Sequence, residues 1–198
     1  MGLMYPNGYT QPAREWAMNN LHEEVRKKPD QNKVMKVIDH DLPDDNSNRK
    51  MVGLSWWKVF PKQRTQADLD AEAKESKERG MPPDANHALL EEFRGNIMDY
   101  KKEILGTQPY VLLSILAVVP EYQRKGVGSI LLDWGSKQAD ELGLHSYLEA
   151  SPMGRPLYER KGYEKVREFE FDARKWGHHE DIEHVCMLRP ARDANGKA

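Results

Sequence analysis

Six consecutive residues, Gln123-Arg124-Lys125-Gly126-Val127-Gly128, have the types and spacing of an anion site. An apolar run ends just before them at Pro120 and a short polar, basic turn follows. The two glycines then open a segment whose apolar residues, Val127, Ile130, Leu131, Trp134 and Leu142, recur at helical spacing. Strand, loop and helix in that order aim several backbone N–H groups, and the positive end of the helix dipole, at one point. The glycines remove the Cβ atoms that would keep a bulky phosphate away from the backbone. The chemistry implied is recognition of a phosphorylated ligand, although the same glycine pair also serves a plain tight turn between strand and helix. The chain lacks both the G-x-x-x-x-G-K-[ST] phosphate loop and the G-x-G-x-x-G dinucleotide fingerprint, so those two nucleotide readings lose support.

A second group of reactive side chains, His178, His179 and His184 with Glu180, Asp181 and Glu183, matches no standard metal spacing and reads as the turn of a hairpin, so no metal is expected. Cys186, the one cysteine, falls inside an expected strand and reads as a small buried hydrophobe.

The elements that must position these residues fit one domain over 1–198, and 198 residues suffice for a real core. A formal net charge of −2 gives no global field for nucleic acid or an anionic membrane. A single cysteine excludes an intrachain disulfide and suits a reducing compartment, cytoplasmic or nuclear. No apolar run approaches the ~18 residues of a bilayer span, and no basic-then-apolar leader is visible.

Thr10 is a candidate N-cap for a helix with Trp16, Met18, Leu21 and Val25 on one face, ended by Pro29. Lys33 to Asp39 and Met51 to Phe60 read as a hairpin around a polar turn. The stretch 61–108 is a helical insertion in two parts. Ala67 to Arg79 has helical composition but no apolar face, which predicts a solvated helix or a mobile loop. Ala88 to Leu105 repeats Leu89, Leu90, Phe93, Ile97 and Ile104 and predicts a packed amphipathic helix. Tyr110 to Val119 is apolar almost throughout, as a strand covered on both faces should be. The Gly126 to Leu142 helix follows, then a strand over His145 to Ala150 and a short helix over Pro156 to Lys161. Tyr163 to Phe171 and Glu183 to Leu188 close as an antiparallel pair, and 191–198 reads as a frayed tail.

Gln123 to Gly128 fits the Q/R-x-x-G-x-G/A signature of the GNAT superfamily of N-acetyltransferases, and Leu116-Ala117-Val118 with Pro120 resembles the strand leading into it. Leu157-Tyr158-Glu159-Arg160-Lys161-Gly162-Tyr163 resembles that family's second signature, in the right order and at the right separation. The resemblance covers about 33–190, the expected core, and is closest to small fungal-type members. It implies an α/β (α+β mixed) fold, a central mixed, mostly antiparallel sheet with flanking helices. Set against that pattern, only about nine residues precede the Thr10 helix. The first strand and most of the first helix are therefore expected to be absent, which would leave the Lys33–Asp39 edge for a second copy or another partner chain to cover.

The resemblance further implies acetyl-CoA as co-substrate, wedged between two splayed strands. Backbone groups of Leu116, Ala117 and Val118 would pair with its arm, and a β-bulge near there would free them. The Val118 N–H would act as oxyanion donor. Amides of Gln123, Arg124, Lys125, Gly126, Val127, Gly128 and Ser129 would hold the pyrophosphate, with Ser151 and Gly154 along the arm. Tyr158 matches the tyrosine beside the leaving sulfur, where a phenol can donate a proton at neutral pH. Ionisable residues on the central strand of some relatives are here Leu112 and Ser114, neither a useful base, so both are expected only to line the acceptor pocket. Glu149 is the remaining candidate base, and it could equally face solvent. His178 would flank the acceptor, and the helical insertion would lie beside it. The reading is an N-acetyltransferase acting directly on a small-molecule or peptide amine, with no metal and no covalent enzyme intermediate. A non-catalytic acyl-CoA-binding or interaction module on the same fold is the alternative.

Overall fold

A computed structural model describes residues 3–42, 50–177 and 184–192. Five helices and six strands run in the order α1 (Gln11–Lys27), β1 (Asn32–Ile38), β2 (Met51–Phe60), α2 (Gln66–Glu78), α3 (His87–Leu105), β3 (Tyr110–Val118), α4 (Val127–Leu142), β4 (His145–Ala150), α5 (Arg155–Arg160), β5 (Glu164–Glu168) and β6 (Val185–Arg189). The strands form one mixed sheet in the order β1-β2-β3-β4-β6-β5, antiparallel except for the β3–β4 pair. The expected α/β fold, a mixed and mostly antiparallel sheet with flanking helices, holds. β1 has β2 on one side and, among the described residues, no strand on the other.

Alternation along the strands divides the core into two layers. Val111, Leu113 and Leu148 pack with Trp57, Leu132 and Ala139 on the α4 face. Tyr110, Leu112 and Tyr147 pack with Leu89, Phe93 and Tyr100 on the α3 face. The α4 stripe is rotated from the one expected. Leu131, Leu132, Gly135 and Ala139 are buried, whereas Ile130 and Leu142 are exposed. Small residues carry no hydrophobic signal, yet they decide this contact, because a Cβ on Gly135 would collide with the fully buried Trp57 indole.

Cys186 is fully buried, as expected of a small core residue. The last pair of strands is shorter than predicted. β5 ends at Glu168, and the aromatic residues Phe169 and Phe171 beyond it turn into the α3 layer. β6 pairs with β4 as well as with β5. His178 and His179, with the start of the expected last strand and most of the tail, lie outside the described residues.

Candidate active site

β3 is where the sheet opens. Trp56 pairs with Ile115 and Trp57 with Leu113, so Ser114 is an extra residue, a β-bulge. The parallel ladder to β4 stops at the same level, with Leu113 opposite Leu148. Beyond it a gap separates Ser114–Val118 from Glu149–Ser151. Val119 donates its N–H to the Val52 carbonyl at 3.0 Å. Successive residues of a strand point their N–H groups to opposite sides, so Leu116 and Val118 turn theirs away from β2, into the gap. The sequence pointed to Val118, and the Leu116 N–H lies two residues nearer the bulge. The bulge also shifts the alternation of side chains. Ser114 and Ile115 both face the α3 layer, and Leu116 returns to the α4 side.

Each face of the sheet carries a cavity beside this gap. The one on the α4 face has a volume of about 480 Å³. Of the residues singled out for a phosphorylated co-substrate, Leu116, Val118, Gln123, Arg124, Gly126, Gly128, Ser129, Ser151, Gly154 and Tyr158 line it. Ala117 pairs with Leu54 instead, Val127 is buried in the core, and the Lys125 amine sits 5.2 Å from the Tyr122 ring centre. Arg124 and Gly126 both adopt positive φ, 63° and 89°, which bends the loop into the start of α4. A Cβ on Gly126 would meet no atom within 4 Å, so the glycine leaves open space beside the first, unpaired amides of the helix. Arg124, Arg160 and Lys161 line the cavity and, among the described residues, no carboxylate does. Arg160 and Lys161 were not singled out from the sequence, although they stand inside the Leu157–Tyr163 motif. Lys161 is shared with Asp133 of α4 at 2.6 Å.

Tyr158 is buried against Gly154 and Tyr163, and its hydroxyl makes no hydrogen bond among the described residues. Burial pushes its pKa up to about 12. The phenol therefore stays protonated and free to donate into the cavity.

The cavity on the α3 face, about 410 Å³, is assembled from α1, α2, α3 and the middle of the sheet. Leu112, Ser114 and Glu149 all line it. Glu149 projects to the same side of β4 as Tyr147, and its Oε1 is buried without a hydrogen-bond partner. Burial raises its pKa, against the opposing pull of the Lys101 ammonium. A carboxyl so placed holds a proton more tightly than an ordinary surface glutamate does.

The rest of this wall was missed by sequence reasoning. Glu24 of α1 pairs with Lys58 at 2.8 Å and with Arg79 after α2. Glu72 of α2 pairs with Arg64 at 2.7 Å and Lys101 at 3.2 Å, and Glu75 with Lys28 at 2.6 Å. α2 begins at a capping box between Thr65 and Asp68 and buries none of its residues. It is the helix predicted to be solvated, and its partners are charges. Among the described residues five cations line the cavity (Lys28, Lys58, Arg79, Arg94, Lys101) against four carboxylates (Glu24, Glu72, Glu75, Glu149). Trp16 and Trp56 add flat apolar wall.

Among the described residues no group of three or more His, Cys, Asp or Glu side chains is arranged to hold a metal ion, and no helix is long and apolar enough to cross a membrane. His184 packs edge-on against Phe93.

Residues 87–165 match the family model described as the acetyltransferase (GNAT) domain, a span that contains both signature motifs. No curated protein matches the sequence. Solved structures share the fold. A putative GNAT-family acetyltransferase from Desulfovibrio desulfuricans has a TM-score of 0.51 at 14% identity, over 92% of this chain and 84% of that one. A Corynebacterium glutamicum protein described as histone acetyltransferase HPA2 and related acetyltransferase has 0.50 at 16%, over 96% and 86%. Naa20 of Chaetomium thermophilum, solved with a bisubstrate analogue, has 0.50 at 14%, over 88% and 73%. These likenesses give the GNAT fold and do not single out fungal-type members.

Proposed function

We propose that this chain, which carries the fold of the GNAT acetyltransferases, is an acetyl-CoA-dependent N-acetyltransferase that passes the acetyl group directly to a primary amine. The supporting observation is the pair of cavities that border one gap in the sheet from opposite faces, one cationic and rich in free amides, the other holding a carboxyl whose buried Oε1 has no hydrogen bond among the described residues.

The residues present fit acetyl-CoA. Loop amides and Arg124, with Arg160, hold phosphate oxygens, and Leu116 and Val118 offer N–H groups along the gap. When bound, the co-substrate supplies an activated thioester. The Leu116 N–H, next to the bulge, or the Val118 N–H beyond it, polarises the carbonyl. Tyr158 gives its proton to the departing sulfur. Glu149 takes the proton from the attacking amine, and Ser114, beside it on β3, lines its path. Transfer is direct, because the thioester and a neutral amine need no enzyme nucleophile between them.

Calorimetric titration with acetyl-CoA, desulfo-CoA and ATP tests the site, and an amine panel with thiol detection tests the reaction. The reading expects one-to-one binding of both CoA compounds, much weaker ATP binding, and amine-dependent release of thiol. Tight CoA binding with no release for any amine would leave only an acyl-CoA-binding module.

A further inference from the structure

The acceptor-side cavity contains a cation without a counter-ion. Arg94, on α3, pairs with no carboxylate among the described residues. Its Nη1 donates to the Gly80 carbonyl at 3.4 Å and lies 3.1 Å from Met81 Sδ, and its guanidinium stands 5.8 Å from the Trp16 ring centre. Nε and Nη2 make no hydrogen bond there. The other four lining cations each have a glutamate. Burial lowers the Arg94 pKa, Tyr5 works against that, and Arg79 nearby lowers it further, as befits a charge short of a partner.

We propose that the acceptor is a small molecule carrying an anionic group, a carboxylate or a phosphate, in addition to its amine, and that Arg94 holds the anion. This rests on the amine-acetylation reading above and narrows it. A simple alkylamine, protonated in water, would enter a cavity whose cations already outnumber its carboxylates, and would leave Arg94 unpaired. In an amino-anion the anionic group offsets a unit or more of the amine's charge. The amine meets Glu149 on the sheet side and the anion meets Arg94 on the helical side, so the open Glu149 Oε1 and the Arg94 guanidinium are satisfied together. A guanidinium fork suits either carboxylate or phosphate, since both accept two parallel N–H bonds. A volume of about 410 Å³ suits a small molecule, with Trp16 and Trp56 flanking its apolar body.

Matched acceptors that differ only in the anion provide the test: phenylalanine with phenethylamine, lysine with cadaverine, phosphoethanolamine with ethanolamine. kcat/KM is measured at saturating acetyl-CoA. Binding of the same compounds is followed by tryptophan fluorescence with desulfo-CoA present, a readout that needs no turnover. The anionic member of at least one pair should bind and react about tenfold or more better than its twin, the scale of hydrogen bonds to a charged group. Arg94→Gln and Arg94→Ala should erase that preference through the acceptor KM, Arg94→Lys should keep part of it, and the acetyl-CoA Kd should stay unchanged. The pair that shows the effect tells carboxylate from phosphate. Equal use of both members in every pair, or a preference that survives Arg94→Gln, would overturn the proposal. Arg94-dependent binding of an anionic amine without any acetyl transfer would uphold the anion subsite and reject the transferase reading. No binding of any anionic amine would reject the subsite.

Discussion

The two cavities that border the gap are built by different means. The α4-side cavity is made largely of backbone: a loop bent by positive φ at Arg124 and Gly126, the first amides of α4, and two strand amides uncovered where pairing ends. Much of its chemistry comes from chain direction, with Arg124, Arg160 and Tyr158 adding side chains. The α3-side cavity is made of side chains from three helices and the sheet, joined mostly by ion pairs. Even neighbouring helices differ. α3 is anchored by Leu89, Leu90, Phe93, Tyr100 and Leu105, whereas α2 buries nothing. A backbone-made site can hold one ligand constant while a wall of charged side chains changes with few consequences for the core. Co-substrate binding should therefore break through geometry, and acceptor binding through charge.

The sharpest break is Gly126→Glu. It forces a side chain into φ 89° and sets a carboxylate in the phosphate path. Calorimetry should show acetyl-CoA affinity falling by about 100-fold or more, since several charge-assisted hydrogen bonds are lost at once. The fold should survive with a lowered Tm, because the added Cβ meets nothing. Tight binding by the variant would move the anion site elsewhere. Next in size is Tyr158→Phe, which removes a hydroxyl that has no hydrogen-bond partner among the described residues. Turnover should fall about 100-fold, the usual scale for a proton donor, with little change in acetyl-CoA Kd or Tm. Unchanged turnover would remove Tyr158 from the reaction.

Glu149→Gln sharpens the comparison on the acceptor side. As base, Glu149 must be ionised, so the wild-type rate should climb with pH through its raised pKa, and the variant should lose that limb and about 100-fold in kcat. Stability runs the other way. A carboxyl whose folded pKa is raised contributes stability in full below the ordinary glutamate pKa, and loses it as pH rises through the folded value. Glutamine cannot ionise, so the variant should melt higher than wild type at neutral and alkaline pH and the same in acid. Parallel melting curves at all pH values would mean the carboxyl is well solvated.

The same contrast explains what the sequence disclosed. Gln123 to Gly128 is contiguous, so its pattern and its site coincide, and Tyr158 stands in a second contiguous motif. Nothing in Leu113-Ser114-Ile115 announces a bulge. No Gly or Pro marks it, and the expected position was nearer Leu116 to Val118. The stripe on α4 was misplaced because Gly135 and Ala139 contribute shape rather than hydrophobicity. The wall of the α3-side cavity was invisible for another reason. Glu24, Lys58 and Arg79 meet only in three dimensions, and a charged helix such as α2 has the composition of a solvated one. Leu112, Ser114 and Glu149, singled out from the sequence, do line that cavity, because they lie on strands whose order was already legible.

The smallest effect tests whether charge alone seats α2. The Lys28 and Glu75 side chains are 40% and 49% exposed, and an exposed pair contributes about 0.2–1 kcal/mol. Lys28→Ala should leave Tm nearly unchanged and acetyl-CoA Kd untouched, while raising the acceptor KM about twofold to fivefold, a change of the same size in free energy. Hydrogen exchange should quicken in 66–78 and not in 87–105, since α3 keeps its apolar anchors. If exchange quickens equally in both helices, α2 and α3 open as one unit, and the division of this face into an anchored helix and an ion-paired one is wrong.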